Sequence, residues 1–224
     1  MSDVKFRLMN PTSPRHLHVG KAIQFGWEMF RPHALPLMLW ALSVVALNVV
    51  SDLIARAIST SVAPWTNWAI SLLYLPIYLG PFLFASTWRH SGESPNARVL
   101  FWTPFRFWLP LVAIHVLTSI ATAIGFFLLI LPGVYLLLTL AFSAAVYLEY
   151  HHDGIVIVDS LVISRKNAHM VFCQVFLLGI ASVGILVLGA ICFGVGLLAA
   201  IPVVALAWAD AFDQVIGFNL ANST

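Results

Sequence analysis

The sequence predicts an all-α fold: a polytopic transmembrane bundle of about six helices in three antiparallel hairpins, preceded by an N-terminal amphipathic interfacial helix. Three observations predict it. First, the stretch Phe107–Tyr150 contains no Asp, Lys or Arg, and its one Glu, Glu149, stands next to the end. A helix rising about 1.5 Å per residue needs roughly 20 apolar residues to cross the hydrocarbon core, so this stretch is long enough for two crossings. Second, the whole chain is 61% hydrophobic and 9% charged, with mean hydropathy +0.94; soluble domains carry about 25% charged residues. Third, if the N-terminus is inside, ten of the eleven basic residues fall on inner segments and only Arg56 on an outer one, as the positive-inside rule requires.

The elements follow in order. Residues 1–13 are polar and read as loosely ordered. Ser13-Pro14 is a helix start, with Ser as cap and Pro in the first turn. Val19, Ala22, Ile23, Gly26, Trp27 and Phe30 then recur at helical spacing, with Lys21, Gln24, Glu28 and Arg31 opposite. This is the amphipathic helix, and Lys21, Trp27 and Arg31 suit an anionic headgroup layer. Pro32 and Pro36 end it. Residues 1–33 are thus tail and interfacial helix, 34–218 the transmembrane domain, and 219–224 a tail. No apolar core followed by a small-residue cleavage site is present near the start, so no cleaved signal peptide is expected.

The crossings are expected at about Ala34–Leu53, Trp68–Thr87, Trp108–Ile130, Val134–Tyr150, Met170–Ala190 and Leu197–Ile216. Pro76 and Gly80-Pro81 predict a kink in the second. The loop Ile54–Asn67 holds Arg56 and Trp65, and Leu131-Pro132-Gly133 is the expected turn between the third and fourth. Arg106 and Trp108 belong to an aromatic and basic belt at the inner surface. The segment His151–His169 is polar and reads as a surface helix; a glycine-rich turn, Cys192–Gly196, joins the last two crossings. Cys173 and Cys192 lie about 28 Å apart on one helix and cannot form a disulfide.

Candidate functional residues are few. His115 lies inside the third crossing, where an ionisable group is a functional candidate. It also has Asn48, Thr118 and Ser119 as candidate hydrogen-bond partners, which would make it structural. Glu149, His151, His152, Asp153 and Asp159 form the densest polar run. Asp210 and Asp213 share a helix face near the inner end of the sixth crossing, where pairing with Arg106 or Arg165 is expected. Asp52 and Arg56 are spaced for a local ion pair. Adjacent histidines can ligate metal, yet the spacing of a zinc site is missing, so no metal is assigned. Ser182, Gly189 and Gly196 recur every seven residues and read as close-packing positions. No nucleophile elbow, HExxH, P-loop or GxGxxG is found, so the chain is read as no enzyme, with no catalytic residue and no cofactor.

The run Leu129-Ile130-Leu131-Pro132-Gly133-Val134-Tyr135 resembles the "L-x-P-G-I-Y" turn of the YciC-like bacterial inner-membrane proteins and the membrane domain found beside glycerophosphodiesterases. Glu149, Gly154, Asp159-Ser160 and Ser164-Arg165 are similar as well, as are Gly194-x-Gly196, Pro202 and a last helix closing on Gly217. The likeness covers about residues 105–218 and departs at His151-His152 and Ile155–Val158. It implies a bundle of about six helices in the bacterial inner membrane and carries no activity with it.

The functional expectation is an integral inner-membrane protein, both termini cytoplasmic, acting as scaffold or accessory subunit of a membrane complex and contacting anionic lipid. A membrane-protein partner or a second copy fits this. The net charge of +2 gives no reason to expect nucleic acid. The alternative is a small transporter or channel with His115, Asn48, Asp210 and Asp213 lining a pathway.

Overall fold

The computed structural model describes residues 3–9, 16–58, 63–92, 95–192 and 196–218. Among them there is no strand. The helices are α1 (Asp3–Met9), α2 (Val19–Phe30), α3 (Ala34–Ile58), α4 (Ala63–Tyr74), α5 (Gly80–Ser91), α6 (Ala97–Phe101), α7 (Trp108–Leu128), α8 (Ile130–Thr139), α9 (Ser143–Tyr150), α10 (Ile157–Met170), α11 (Phe172–Ile191) and α12 (Leu197–Val215). Six stretches are long and apolar enough to cross a membrane: Ala34–Ala57, Trp68–Ser91, Ala97–Leu128, Ile130–Asp153, Phe172–Ile191 and Leu197–Val215. Each overlaps one expected crossing.

The last helix is the centre of the bundle. About 56% of the α12 span is buried inside the protein, against 17% for the spans containing α7 and α11. Helix α12 touches α2, α3, α5 and α11. Its buried face, with Val203, Leu206, Ala207, Ala211, Phe212 and Val215, reads at helical spacing. By contrast α7 and α11 turn Leu117, Ile120, Ile124, Phe176, Ile180 and Val183 outward. That is the pattern of lipid-facing helices, because lipid tails are as apolar as the side chains they meet.

Among the described residues, three spans are interrupted: the third carries a 3-10 segment at Thr103–Phe107 between α6 and α7, and the second and fourth are broken as well. In the second, the α-helix gives way to a 3-10 segment at Leu75–Leu79 before α5 begins at Gly80. Pro76 cannot donate a backbone hydrogen bond, and Pro81 lies in the first turn of α5, so the sequence of this break was legible. The interruption in the fourth span was not. Residues 140–142 form a turn between α8 and α9 without proline or glycine. Around it, Thr139 Oγ1 donates to the Tyr135 carbonyl at 2.8 Å and Ser143 Oγ to the Leu140 carbonyl at 2.7 Å. Such hydroxyl back-bonding competes for helical carbonyls and bends helices.

The boundary between the third and fourth spans also differs from expectation. The break is one extended residue, Leu129 (φ −167°, ψ 155°), and Pro132 and Gly133 lie inside the first turn of α8. First-turn N–H groups have no intrahelical partner, so proline is tolerated there. The close approach of the two helices is made by glycines: a Cβ on Gly125 would lie 2.9 Å from Gly133 Cα. Helix α3 runs five residues past the expected end, carrying Asp52 and Arg56 within the helix as an i,i+4 pair at 2.8 Å. Helices α3 and α4 take up residues 54–58 and 63–67 of the loop expected over Ile54–Asn67, and the side chain of Trp65 lies outside the described residues.

The N-terminal region is tied down more firmly than its composition suggests. Where a loose tail was expected, α1 lies on α10: Lys5 Nζ meets Asp159 Oδ2 at 2.5 Å, and buried Asn167 Nδ2 donates to the Leu8 carbonyl at 3.0 Å. The expected cap Ser13-Pro14 falls outside the described residues. Helix α2 forms as the periodicity predicts, and it packs along α12. The His18 N–H donates to Gln214 Oε1 at 2.7 Å, while a Cβ on Gly26 would lie 3.2 Å from the Ala207 nitrogen. The two helices therefore run antiparallel. The buried residues of α2 are Ala22, Gly26, Met29 and Phe30; Trp27, expected on the same apolar face, is 43% exposed and lies under the Arg31 guanidinium.

Candidate functional site

The breaks of the second and fourth spans face one another across a crevice. One part of it has a volume of about 490 Å³ and is walled by Leu75, Tyr78 and Leu79 of the second span, Leu137, Leu140, Ala141 and Ala144 of the fourth, and α7. The second part, about 440 Å³, adjoins it and is lined by Phe82, Phe142, Ala145, Ala205, Trp208 and Phe212 among others. Tyr78, Leu79, Leu137 and Ala141 border both parts.

Helix α7 presents His115, Thr118, Ser119 and Thr122 to the first part. Their spacing, i, i+3, i+4 and i+7, puts them on one helix face; Leu117, Ile120 and Ile124 point outward from the opposite one. His115 was singled out in the sequence, but the rest of the stripe was missed as a stripe. The signal was there: four polar side chains at helical spacing within an otherwise apolar span.

Of the expected partners of His115, Thr118 and Asn48 are engaged elsewhere, and Ser119 makes no bond to it. Thr118 Oγ1 donates to the carbonyls of Ile114 and His115, each at 2.9 Å. Asn48 Nδ2 donates to the Val44 carbonyl at 2.8 Å and to Tyr78 Oη at 2.7 Å. Asn48 therefore reaches the crevice only through Tyr78. Among the described residues, the His115 ring and the hydroxyls of Ser119 and Thr122 have no hydrogen-bond partner. A neutral imidazole offers one donor and one acceptor, and each hydroxyl offers both.

The candidate cytoplasmic-face residues do not gather into one site. Asp210 and Asp213 pair with Arg89, at 2.5 and 3.2 Å, rather than with Arg106 or Arg165. Gln214 Nε2 donates to the second oxygen of Asp210 at 2.6 Å, and the Arg89 guanidinium stacks 4.7 Å over Phe25. Sequence reasoning placed Arg89 at the same end of the bundle as Asp210 and Asp213 but could not see that α5 lies beside α12. Glu149 turns to the second span, accepting from Ser86 Oγ at 2.9 Å and meeting His90 Nε2 at 3.3 Å. His90 Nδ1 lies 2.7 Å from the Ser86 carbonyl, its own preceding turn. Asp159 serves α1 and also accepts from the Val156 N–H at 3.3 Å, capping α10. The rings of His151 and His152 lie against each other at a tilt of 44°, centroids 3.7 Å apart, with Phe107 against His151 at 4.7 Å. Asp153 follows them in the 3-10 turn that Gly154, at φ 78°, ends. No group of three metal-ligating side chains occurs among the described residues.

The close-packing residues meet within this chain. A Cβ on Gly189 would lie 2.9 Å from Ala200 Cβ, and one on Gly196 2.6 Å from the Gly189 carbonyl oxygen. Ser182 Oγ accepts from Trp208 Nε1 at 3.1 Å. All three join α11 to α12. Gly194 lies outside the described residues. At the proposed interface, Lys21 and Arg106 are exposed, and Trp108 Nε1 donates to the Leu72 carbonyl at 2.8 Å.

Comparison with known proteins finds no match to this chain among family models, curated proteins or solved structures, so the likeness to the YciC-like group rests on the residues quoted for it.

Proposed function

We propose that this chain is a small multi-pass membrane protein that binds a small molecule within the membrane and passes it along the crevice, a transporter-type function. The observation that carries the reading is the stripe His115, Thr118, Ser119 and Thr122 facing a cavity bounded by the interrupted second and fourth spans. Polar side chains are expensive inside a bilayer and face the bundle interior or a cavity where they serve a pathway. Interrupted helices are a recurring feature of transporter sites, because irregular backbone is tolerated at membrane depth only where it lines a cavity or is buried. Asp210 and Asp213, held by Arg89, belong to the framework of this reading and not to its pathway.

In this reading the six spans form three antiparallel hairpins in a bacterial inner membrane, with both termini cytoplasmic. The ion pair Lys5–Asp159 and the contact of α2 with α12 support a common side for the basic segments. Contact with anionic lipid through Lys21, Trp27, Arg31, Arg106 and Trp108 is part of the same proposal. The test is purification in nanodiscs followed by mass spectrometry of everything retained. A small molecule held by the wild type and lost from Ala141→Trp, which fills the shared wall of the crevice, is the expected result. A stoichiometric protein partner with nothing in the crevice would move the assignment to an accessory subunit.

A further inference from the structure

We infer that the crevice takes a single-chain lipid with an uncharged hydroxyl or carbonyl head, the head at His115, Ser119 and Thr122 and the chain in the aromatic part. This rests on the reading of the crevice as a ligand site. The first argument is charge. No Asp, Glu, Lys or Arg lines either part of the crevice. An ionic head buried there would meet no counter-ion, and an unpaired buried charge is far costlier than a hydrogen-bonded neutral group. Arg89, Asp210 and Asp213 already satisfy one another and line a separate polar cleft with His16, His18 and Lys21.

The second argument is hydrogen bonding. The three unpartnered groups of α7 can both give and accept, which suits a hydroxyl as well as a carbonyl. The stripe is half-buried and faces the cavity, and polar groups within a membrane span are costly unless they find a partner, so a matching head would complete it. The third is the shape of the far end. Phe82, Phe142, Trp208 and Phe212 line it, and the indole N–H of Trp208 is already given to Ser182. What remains there is apolar surface. The two parts, about 490 and 440 Å³, meet at Tyr78, Leu79, Leu137 and Ala141 and match the scale of roughly 300–1,000 Å³ at which proteins hold a drug-sized molecule. That space accepts one chain more readily than the two of a phospholipid.

The experiment uses the full chain in phosphatidylglycerol nanodiscs and hexadecanol carrying a mid-chain diazirine as photoprobe. Unlabelled hexadecanol, hexadecyl phosphate and hexadecyltrimethylammonium compete. The expected result is crosslinking to α8, α9 and α12 around Ala141, Phe142 and Trp208. Competition by the ionic compounds is expected to be weaker by about tenfold or more, because their heads would be buried without a counter-ion. His115→Ala with Thr122→Val weakens competition by hexadecanol while the chain still enters; Ala141→Trp removes the labelling. Equal competition by the ionic compounds would overturn the inference about the head and leave the crevice as a ligand site. Labelling spread over the outward faces of α7 and α11, unchanged by Ala141→Trp, would overturn both the inference and the binding reading beneath it.

Discussion

The charged end of the bundle and the crevice in its middle treat polar groups in opposite ways. At the charged end Arg89, Asp210, Asp213, Glu149 and Asp159 each meet a partner from another helix, and Asp210 is only 5% exposed. In the crevice, His115, Ser119 and Thr122 meet none. A partnered buried charge fixes the relative position of the elements it joins; an unpartnered polar group facing a cavity is free to meet something else. The contrast separates residues that join helices from residues that face open space; the sequence placed both kinds among the candidate site residues and expected ion pairing for Asp210 and Asp213.

Substitutions at the two regions should therefore fail differently. Arg89→Ala leaves Asp210 buried without its cation. The expected cost is about 3 kcal/mol, the lower part of the range for breaking a buried pair, because Arg89 itself is partly exposed. The drop in melting temperature in detergent measures it, and adding Asp210→Asn should recover much of it. Next is Gly26→Leu. Its side chain would run into the backbone of α12 at Val203 and Ala207, at a cost of about 1–3 kcal/mol from overpacking. Cleavage of the N-terminal segment by protease in intact membranes should rise with it. Trp40→Phe removes the hydrogen bond from Nε1 to the Ile77 carbonyl, 2.8 Å long, at the 3-10 break and leaves a small cavity where the buried indole stood; about 1–3 kcal/mol is expected. The smallest stability effect is expected of Thr122→Val and His115→Ala, within about 1 kcal/mol, because no intramolecular bond is lost. A large thermal destabilisation by either would place the stripe with the framework and erase the comparison. Loss of the retained small molecule without destabilisation would sharpen it.

The six apolar stretches were legible because membrane spans need only length and composition, both of which are local. Pro76 and Gly80-Pro81 marked the break in the second span for the same reason. The turn at residues 140–142 was hidden, because Thr139 and Ser143 bend a helix only through bonds to carbonyls that a sequence does not display. Pro132 misled: it was read as the turn and proved to be a first-turn residue of α8, the true break being Leu129. The partner of Asp210 depended on which helix lies beside α12, a fact held in the packing of Phe82 against Phe212 and not in any local pattern. Crevices are the least legible of all, since their walls come from four separate spans.

The pairing of α2 with α12 also sets a clock. Roughly 180 residues separate Gly26 from the Val203 backbone that it meets. At about 5–20 residues per second, a ribosome needs on the order of 9–35 s to cover that distance. For that interval α2 lacks the α12 backbone on which Gly26 closes. In the proposed interfacial reading, α2 would wait on the membrane surface, and its dwell there would end when the last span arrives. Assembly of this protein closes on its beginning, so a chain truncated before α12 would lose its N-terminal docking along with its final span.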